Sequence, residues 1–275
     1  MKVTMIGLEQ IKNFLLDAGN IAIEKQQALQ ITYKDSGQIL TNVDLEISKM
    51  LGEYAVEWFK DETYVVIDEE TNNMNPQQAL ENYNYLCVID PIDGTAGYAL
   101  GRRLWGVSLG IFHKGHPVSG GIYMPGLQTI LLADAEQSLH IDMINNKKTL
   151  IKAKKMNINK EVFIESYFGC DRSWGKGFDS NFWFNTPESA VQGYYNTLLN
   201  QSAGATAINA LSLWDFAGAI CIAKNTGHQI YNMKTDERLY DITASMFHNN
   251  WRIKDNWIVC HPENYQFIKT ALLTS

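Results

Sequence analysis

The sequence predicts an α/β protein in which helices cover layered sheets. Three observations predict it. An amphipathic pattern opens the chain, a series of strand-length apolar runs separated by turn residues fills its middle, and helix and strand patterns alternate through its last part. At 275 residues the chain can bury a full core, as one large domain or two of ordinary size. Hydrophobic content of 45% and aromatic content of 11% argue for a globular chain and against disorder.

Taken in order, Leu8, Ile11, Leu15, Ala18 and Ala22, with Phe14 and Ile21 widening the stripe, predict a helix from Leu8 to about Leu29. Asp35-Ser36-Gly37 reads as a mobile turn. A second helix starts near Asn42 to Asp44 and runs to Phe59, with Leu45, Met50, Leu51, Tyr54 and Trp58 facing inward. Val65-Val66-Ile67 is a short strand ending in Asp68-Glu69-Glu70, and Asn72 to Asn84 has a loop composition with some helix. Tyr85-Leu86-Cys87-Val88-Ile89 is a buried strand. The runs Gly106–Phe112, Val118–Tyr123 and Gln128–Ala133 suggest an antiparallel meander, followed by a hairpin of Leu139–Ile144 and Thr149–Ala153. The end of that hairpin marks the expected boundary between an N-terminal α+β domain, residues 1–150, and a C-terminal α/β domain, residues 151–275. In the second part a strand at Val162–Ser166, a helix from about Pro187 to Gln201 and a strand through Ala203–Ala210 precede Trp214-Asp215, which opens the apolar helix Phe216–Lys224. Gly227–Tyr231 and Trp257–Cys260 are strands, and Pro262–Leu273 is a last helix.

Composition narrows the function. A formal charge of −7 argues against nucleic acid or an anionic membrane as a general partner. No apolar run approaches the roughly 20 residues that span a bilayer, and Met1 to Glu9 has too short an apolar core for a signal peptide. Cys87, Cys170, Cys221 and Cys260 are scattered without metal-type pairs, so they read as reduced thiols of a cytoplasmic protein.

The chemistry concentrates in Asp90-Pro91-Ile92-Asp93-Gly94-Thr95. Two carboxylates three residues apart stand where a buried strand stops, and oxygen ligands gathered there suit a hard cation such as Mg²⁺. Gly94 admits a close ligand, and free N–H groups on the turn after it suit phosphate oxygens. Two further acids belong to the constellation: Glu69 at the end of the preceding strand and Asp215 at the start of the apolar helix. Each acid also has a plain structural reading. Glu69 or Glu70 alone is a solvated strand-end acid, Asp215 an N-cap worth about 1 kcal/mol, and Asp90 and Asp93 an Asx-turn.

Together, Asp68-Glu69-Glu70-Thr71, Asp90-Pro91-Ile92-Asp93-Gly94-Thr95 and Trp214-Asp215-Phe216-Ala217-Gly218-Ala219 resemble, in order, the three signatures of the inositol monophosphatase family. Thr41-Asn42-Val43-Asp44 resembles its Thr-x-x-Asp, and Gly121-Ile122-Tyr123-Met124-Pro125 one of its strand ends. The resemblance spans nearly the whole chain and implies the family's layered αβαβα architecture. It also implies an Mg²⁺-dependent phosphomonoesterase with two ions and room for a third, acting on a small phosphorylated substrate as a homodimer. Glu69, Asp90 and the Ile92 carbonyl would hold one ion, and Asp90, Asp93 and Asp215 a second. Thr95, polarised through Asp44, would help Glu69 deprotonate the attacking water. The Gly94, Thr95 and Ala96 N–H groups would hold the phosphate, with Asp93 and Asp215 bordering the substrate. Charge supports this independently: four acids and a phosphate together carry about −6, so cations must bind with or before the substrate.

The chain also departs from the family's pattern. Ala96-Gly97-Tyr98 replaces the Thr-Asn-Phe or Lys-Glu-Phe of many relatives, and the absence of Lys-Glu argues against a 3′-phosphoadenosine phosphatase. Ile208 stands where inositol-specific members place a glutamate that grips sugar hydroxyls, with Asn209 as a substitute, and Glu188-Ser189-Ala190 echoes the family's Gly-Ser/Thr-Ala weakly. Arg102 and Arg103 read as a solvated pair, with an anionic substrate as the alternative partner. The loop Asp171–Gly177 lies where relatives contact the substrate's alcohol portion. Two other functions stay in view: a fructose-1,6-bisphosphatase or 3′-phosphoadenosine 5′-phosphate phosphatase, and a catalytically silent metal- and phosphate-binding regulatory protein.

Overall fold

The computed structural model describes residues 6–34, 37–71, 74–157, 162–165, 182–207 and 211–273. Helix α1 (Leu8–Lys25) ends four residues before the expected point, because Gln26–Ala28 tightens into a 3₁₀ turn. A short antiparallel pair, β1 (Ile31–Tyr33) and β2 (Ile39–Thr41), leads into α2 (Asn42–Trp58). A capping box starts α2: Thr41 Oγ1 accepts from the Val43 and Asp44 amides, and Asp44 Oδ2 accepts from the Thr41 amide.

Beneath α1 and α2 lies a seven-stranded sheet made of β3 (Tyr64–Asp68), β4 (Tyr85–Asp93), β5 (Gly106–His113), β6 (His116–Met124), β7 (Thr129–Ala133), β8 (Ser138–Asp142) and β9 (Lys147–Leu150), in that order. Only β3 and β4 run parallel, joined through α3 (Pro76–Asn82); the rest is the expected meander. Strand β4 is buried along its whole length because both faces are covered, which is why its apolar run is continuous rather than alternating. Tyr85, Cys87 and Ile89 face α1 and α2, while Leu86 and Val88 pack toward the other side.

That other side is a helical layer of α5 (Ala190–Leu198) and α6 (Leu213–Ala223). Helix α6 lies so close to β5 that a Cβ on Gly110 would come within 2.7 Å of the Ala217 carbonyl oxygen. Glycine is therefore required at 110, and the nearly all-apolar sequence of α6 follows from burial on every side. Next comes a five-stranded sheet of β10 (Val162–Glu165), β11 (Phe182–Asn185), β12 (Gly204–Ala207), β13 (Gln229–Asn232) and β14 (Trp257–Cys260), in the order β11-β10-β12-β14-β13. Helix α7 (Tyr265–Leu273) covers its far face through Tyr265 and Ile268. The layers are thus α, β, α, β, α.

The first sheet ends at Leu150 and the second begins at Val162, but one hydrophobic cluster runs from Leu86 and Val88 through Phe216 to Val259. The two halves share a core. The Ile151 amide still donates to the Ser138 carbonyl, but residues 152–153, expected to extend the hairpin, leave the ladder. Ile151 is buried in that shared core, and the Ala153 amide donates to the Thr226 carbonyl. Cys87, Cys221 and Cys260 are buried free thiols; Cys170, Ile208, Asn209 and Asp171–Gly177 lie outside the described residues.

Candidate active site

Three elements bring the acids together. The Ile67–Asp68 end of β3 delivers Glu69 and Glu70, held in place because Asp68 Oδ1 accepts from the Glu70 and Thr71 amides at 2.7 and 2.6 Å. The neighbouring end of β4 delivers Asp90 and Asp93. The β4–β5 register shifts between these two residues, and such a bulge re-aims side chains, so both acids are buried yet presented to one place. The first turn of α6 delivers Asp215. It is not the N-cap itself: Ser212 caps the helix, and Asp215 closes the capping box by accepting from the Ser212 amide with Oδ2. Cap and ligand roles coexist, since a carboxylate offers about four lone-pair sites and the cap uses one of them.

Ligand oxygens of Asp90, Asp93 and Asp215 all lie within 4.8 Å of one another. Burial drives the Asp90 and Asp215 pKa values well up, Glu69 and Asp93 push them further, and a hydrogen bond joins the Asp90 and Asp215 carboxyls. Asp93 rises to about 7, mainly through burial, against the Val191, Ala190 and Gly94 amides that donate to it. The set thus gathers more negative charge than its own neighbours offset. Oxygen-only donors, close spacing and unrelieved negative charge fit Mg²⁺.

Glu69, expected among the ligands, is not in this close group. Lys34, between β1 and β2, draws it away: the Lys34 ammonium donates to Glu69 Oε1 at 2.6 Å and to Glu70 at 2.9 Å. Burial alone would lower the Lys34 pKa, but the two glutamates outweigh it and raise it. Glu69 nonetheless faces the same cleft, because its charge raises the Asp44, Asp90, Asp93 and Asp215 pKa values. The expected Thr95–Asp44 contact is likewise not among the hydrogen bonds of the described residues. Thr95 Oγ1 donates to the Ile92 carbonyl at 2.9 Å, and Asp44 is engaged by Thr41 N and Oγ1 at 2.8 and 2.6 Å. A buried Asp44, with its pKa raised to about 6, spends its hydrogen bonds on starting α2.

Gly94 has φ +89 and begins the five-residue α4 (Thr95–Ala99). A Cβ there would meet the Ser189 Cβ at 2.8 Å, so glycine is required on both counts. This packing exposes residues that the sequence only hinted at. Ser189 caps α5 by accepting from the Gln192 amide, and the first amides of α5, those of Ala190 and Val191, donate to Asp93. Glu188 is 3.5 Å from Arg102 near Gly97, so Arg102 has a partner within the protein. Arg103 donates to the Gly126 carbonyl, and both arginines stay exposed, as expected of a solvated pair.

Fold and site together define a layered α/β protein with a cluster of carboxylates at the ends of its strands. The family model described as the inositol monophosphatase family matches residues 9–266, and the chain belongs to that family, whose members hydrolyse phosphomonoesters. Among solved structures, the extragenic suppressor protein SuhB of Bartonella henselae has a TM-score of 0.76 at 16% identity over 96% of this chain and 97% of that one. An IMPase of Thermotoga maritima has a TM-score of 0.71 at 18% identity over 95% and 94%. Among curated sequences, the Nus factor SuhB of Pasteurella multocida is 30% identical over 39% of each chain. The probable inositol 1-monophosphatase ImpA of Mycobacterium tuberculosis is 49% identical over 15% of each. The chain thus aligns with well under half the length of these two curated relatives.

The raised carboxyl pKa values carry a stability prediction. Asp93 titrates near 7 and Asp44 near 6 in the folded chain, against about 4 when unfolded. Between those values the folded state binds more protons, so stability is greatest at low pH and is lost as pH rises toward 7. Melting of the metal-free protein across pH 5–8 is expected to show that decline. Added Mg²⁺ should flatten it and release protons on binding, which calorimetry in buffers of different ionisation enthalpy would measure.

Proposed function

We propose that this chain is an Mg²⁺-dependent phosphomonoesterase acting on a small phosphorylated alcohol or sugar. The observation that carries the reading is the convergence of Asp90, Asp93 and Asp215 on one oxygen-lined point, beside a glycine turn whose following residues open a helix. Asp90, Asp93, Asp215 and the Ile92 carbonyl would hold Mg²⁺, with Glu69 joining once it leaves Lys34. When bound, the ions polarise the phosphate, acidify the attacking water and offset charge on the leaving oxygen.

The remaining roles belong to the chain. The Gly94, Thr95 and Ala96 N–H groups orient the phosphate at the start of α4. Glu69, once released from Lys34, takes a proton from the attacking water. The new P–O bond forms opposite the ester P–O bond, which breaks as the alcohol leaves. Asp44 adds negative charge beside Glu69. Thr95, through its hydrogen bond to the Ile92 carbonyl, fixes the turn that presents both ligand and phosphate donors.

Solved IMPase/NADP phosphatase neighbours hold D-inositol-1-phosphate in one case, NADP with Ca²⁺ in another and Mg²⁺ with phosphate in a third, which supports this class of ligand. The homodimer implied by the resemblance, and a cytoplasmic setting for its thiols, belong to the same proposal. The test is phosphate release from inositol 1-phosphate, fructose 1,6-bisphosphate and 3′-phosphoadenosine 5′-phosphate at several Mg²⁺ levels. Metal-dependent release from at least one supports the reading. Mg²⁺ binding without release from any would point to a silent binding protein.

Lys34 supplies a second check. It neutralises Glu69 and Glu70 in the cleft, so an arriving cation must displace it. Lys34→Gln is expected to lower the melting temperature of the metal-free protein and, at the same time, reduce the Mg²⁺ needed for half-maximal turnover a few-fold. An increased Mg²⁺ requirement would mean that Lys34 assists metal binding rather than competing with it.

A further inference from the structure

Arg102 and Glu188 form a charged pair beside the Gly94 turn, and the mechanism above gives it no task. Contacts from both sides fix its place. Glu188 directly precedes Ser189, the residue packed against Gly94, and its carbonyl oxygen would lie 3.5 Å from a Cβ at Gly94. Two residues after Glu188, the Ala190 amide donates to Asp93. On α4, a Cβ at Gly97 would lie 3.7 Å from Glu188 Oε2 and 3.8 Å from Arg102 Cβ. The Arg102 amide donates to the Gly97 carbonyl at 2.9 Å, which seats the arginine where the chain leaves α4. Both side chains thus stand against Gly97, one residue beyond the Ala96 N–H group assigned to the phosphate. The pair itself is loose. Arg102 Nη1 and Glu188 Oε1 are 3.5 Å apart, and the guanidinium makes no hydrogen bond among the described residues. The two side chains are 56% and 35% exposed, and so open a pair adds little to stability. The five guanidinium donors are therefore unspent, in a planar fork that matches phosphate and carboxylate oxygens.

We propose that Arg102 is a specificity-determining residue that receives a second anionic group of the substrate, a phosphate or a carboxylate. Glu188 holds the guanidinium in place until that group arrives. With the first phosphate at the Gly94–Ala96 amides, the second group comes past Gly97 on the alcohol portion and takes two parallel N–H bonds from the fork. Glu188 competes through charge alone, and it repels the incoming anion, so it tempers the affinity. The substrate class narrows to a small bis-anionic ester, a sugar bisphosphate or a phosphorylated sugar acid. This inference rests on the phosphatase reading of the site.

The experiment is steady-state phosphate release by the full-length protein at saturating Mg²⁺ from two matched pairs of substrates. Fructose 1,6-bisphosphate is set against fructose 1-phosphate, which reads a second phosphate. 6-Phosphogluconate is set against glucose 6-phosphate, which reads a carboxylate. The bis-anionic member should be preferred in at least one pair. Arg102→Gln should raise KM for that member about tenfold, the size of a lost charged hydrogen bond, with kcat kept and the mono-anionic partner within about twofold. Glu188→Gln should act in the opposite direction, lowering the same KM a few-fold. Both effects should shrink as salt screens the exposed groups, and neither variant should move the melting temperature appreciably. Equal turnover of both members of each pair, or a preference that survives Arg102→Gln, would overturn the inference and leave the phosphatase reading standing. So would an equal loss on mono- and bis-anionic substrates, the mark of a structural or general charge effect. No release from any of the four, nor from inositol 1-phosphate, would remove the phosphatase reading and this inference with it.

Discussion

Asp93→Asn is expected to abolish phosphate release and yet to raise the melting temperature of the metal-free protein. Both effects come from one cause. Asp93 is buried, and its pKa reaches about 7 because burial and neighbouring Glu69 oppose its charge. At pH 8 its ionised form is therefore a destabilising element that the backbone amides offset only in part and a cation would offset further. Asparagine keeps an oxygen for the Val191 amide but removes the charge. It loses a ligand and relieves the repulsion in the same step, the usual trade between site and stability. Each kcal/mol relieved corresponds to about 2–4 °C in a chain of this size. Mg²⁺ should raise the melting temperature of the unaltered protein and leave that of the variant nearly unchanged. Normal turnover by the variant at ordinary Mg²⁺ would take Asp93 out of the site, and a large drop in its metal-free stability would show that the carboxylate is structural.

Glu69→Gln should lower kcat by about 10²–10⁴, the range for loss of a general base. The geometry adds a signature. Glu69 is held by Lys34 in the structure, so the glutamine variant removes both a base and the partner of a partly buried lysine. Lys34 then keeps only Glu70, whose pKa is itself raised to about 7 by burial. The Mg²⁺ requirement should rise along with the loss in kcat. Single-turnover rates at saturating Mg²⁺ separate the two effects. A loss below tenfold there would assign the base to another group.

What was legible in the sequence and what was not divides by the range of the interaction. Asp90, Asp93 and Gly94 could be found because a strand end and a turn are local events, written in adjacent residues. Asp215 could be placed at a helix start because apolar periodicity begins there, although Ser212, not Asp215, turned out to cap it. The meander was readable from its turns: His113-Lys114-Gly115-His116 joins β5 to β6, with Lys114 and Gly115 both at positive φ. By contrast, nothing near Lys34 announces that it will cross the cleft to Glu69 and Glu70, 35 and 36 residues away. The α5 amides that hold Asp93 come from 97 and 98 residues downstream, and backbone donors carry no residue signature at all. Helix α4 was legible only through Gly94 and the turn after it, because five residues cannot display a period. The expected Thr95–Asp44 pairing failed for a related reason: each residue found a nearer partner, Ile92 and Thr41, and short-range hydrogen bonds cost less chain entropy to form.

The most direct test of the central claim is to locate a bound divalent ion. Crystals soaked in Mn²⁺, which shares the oxygen preference of Mg²⁺ and scatters anomalously, should show a peak coordinated by Asp90, Asp93 and Asp215. The same crystals should show Glu69 released from Lys34. A peak elsewhere on the protein, with none at these carboxyls, would contradict the account.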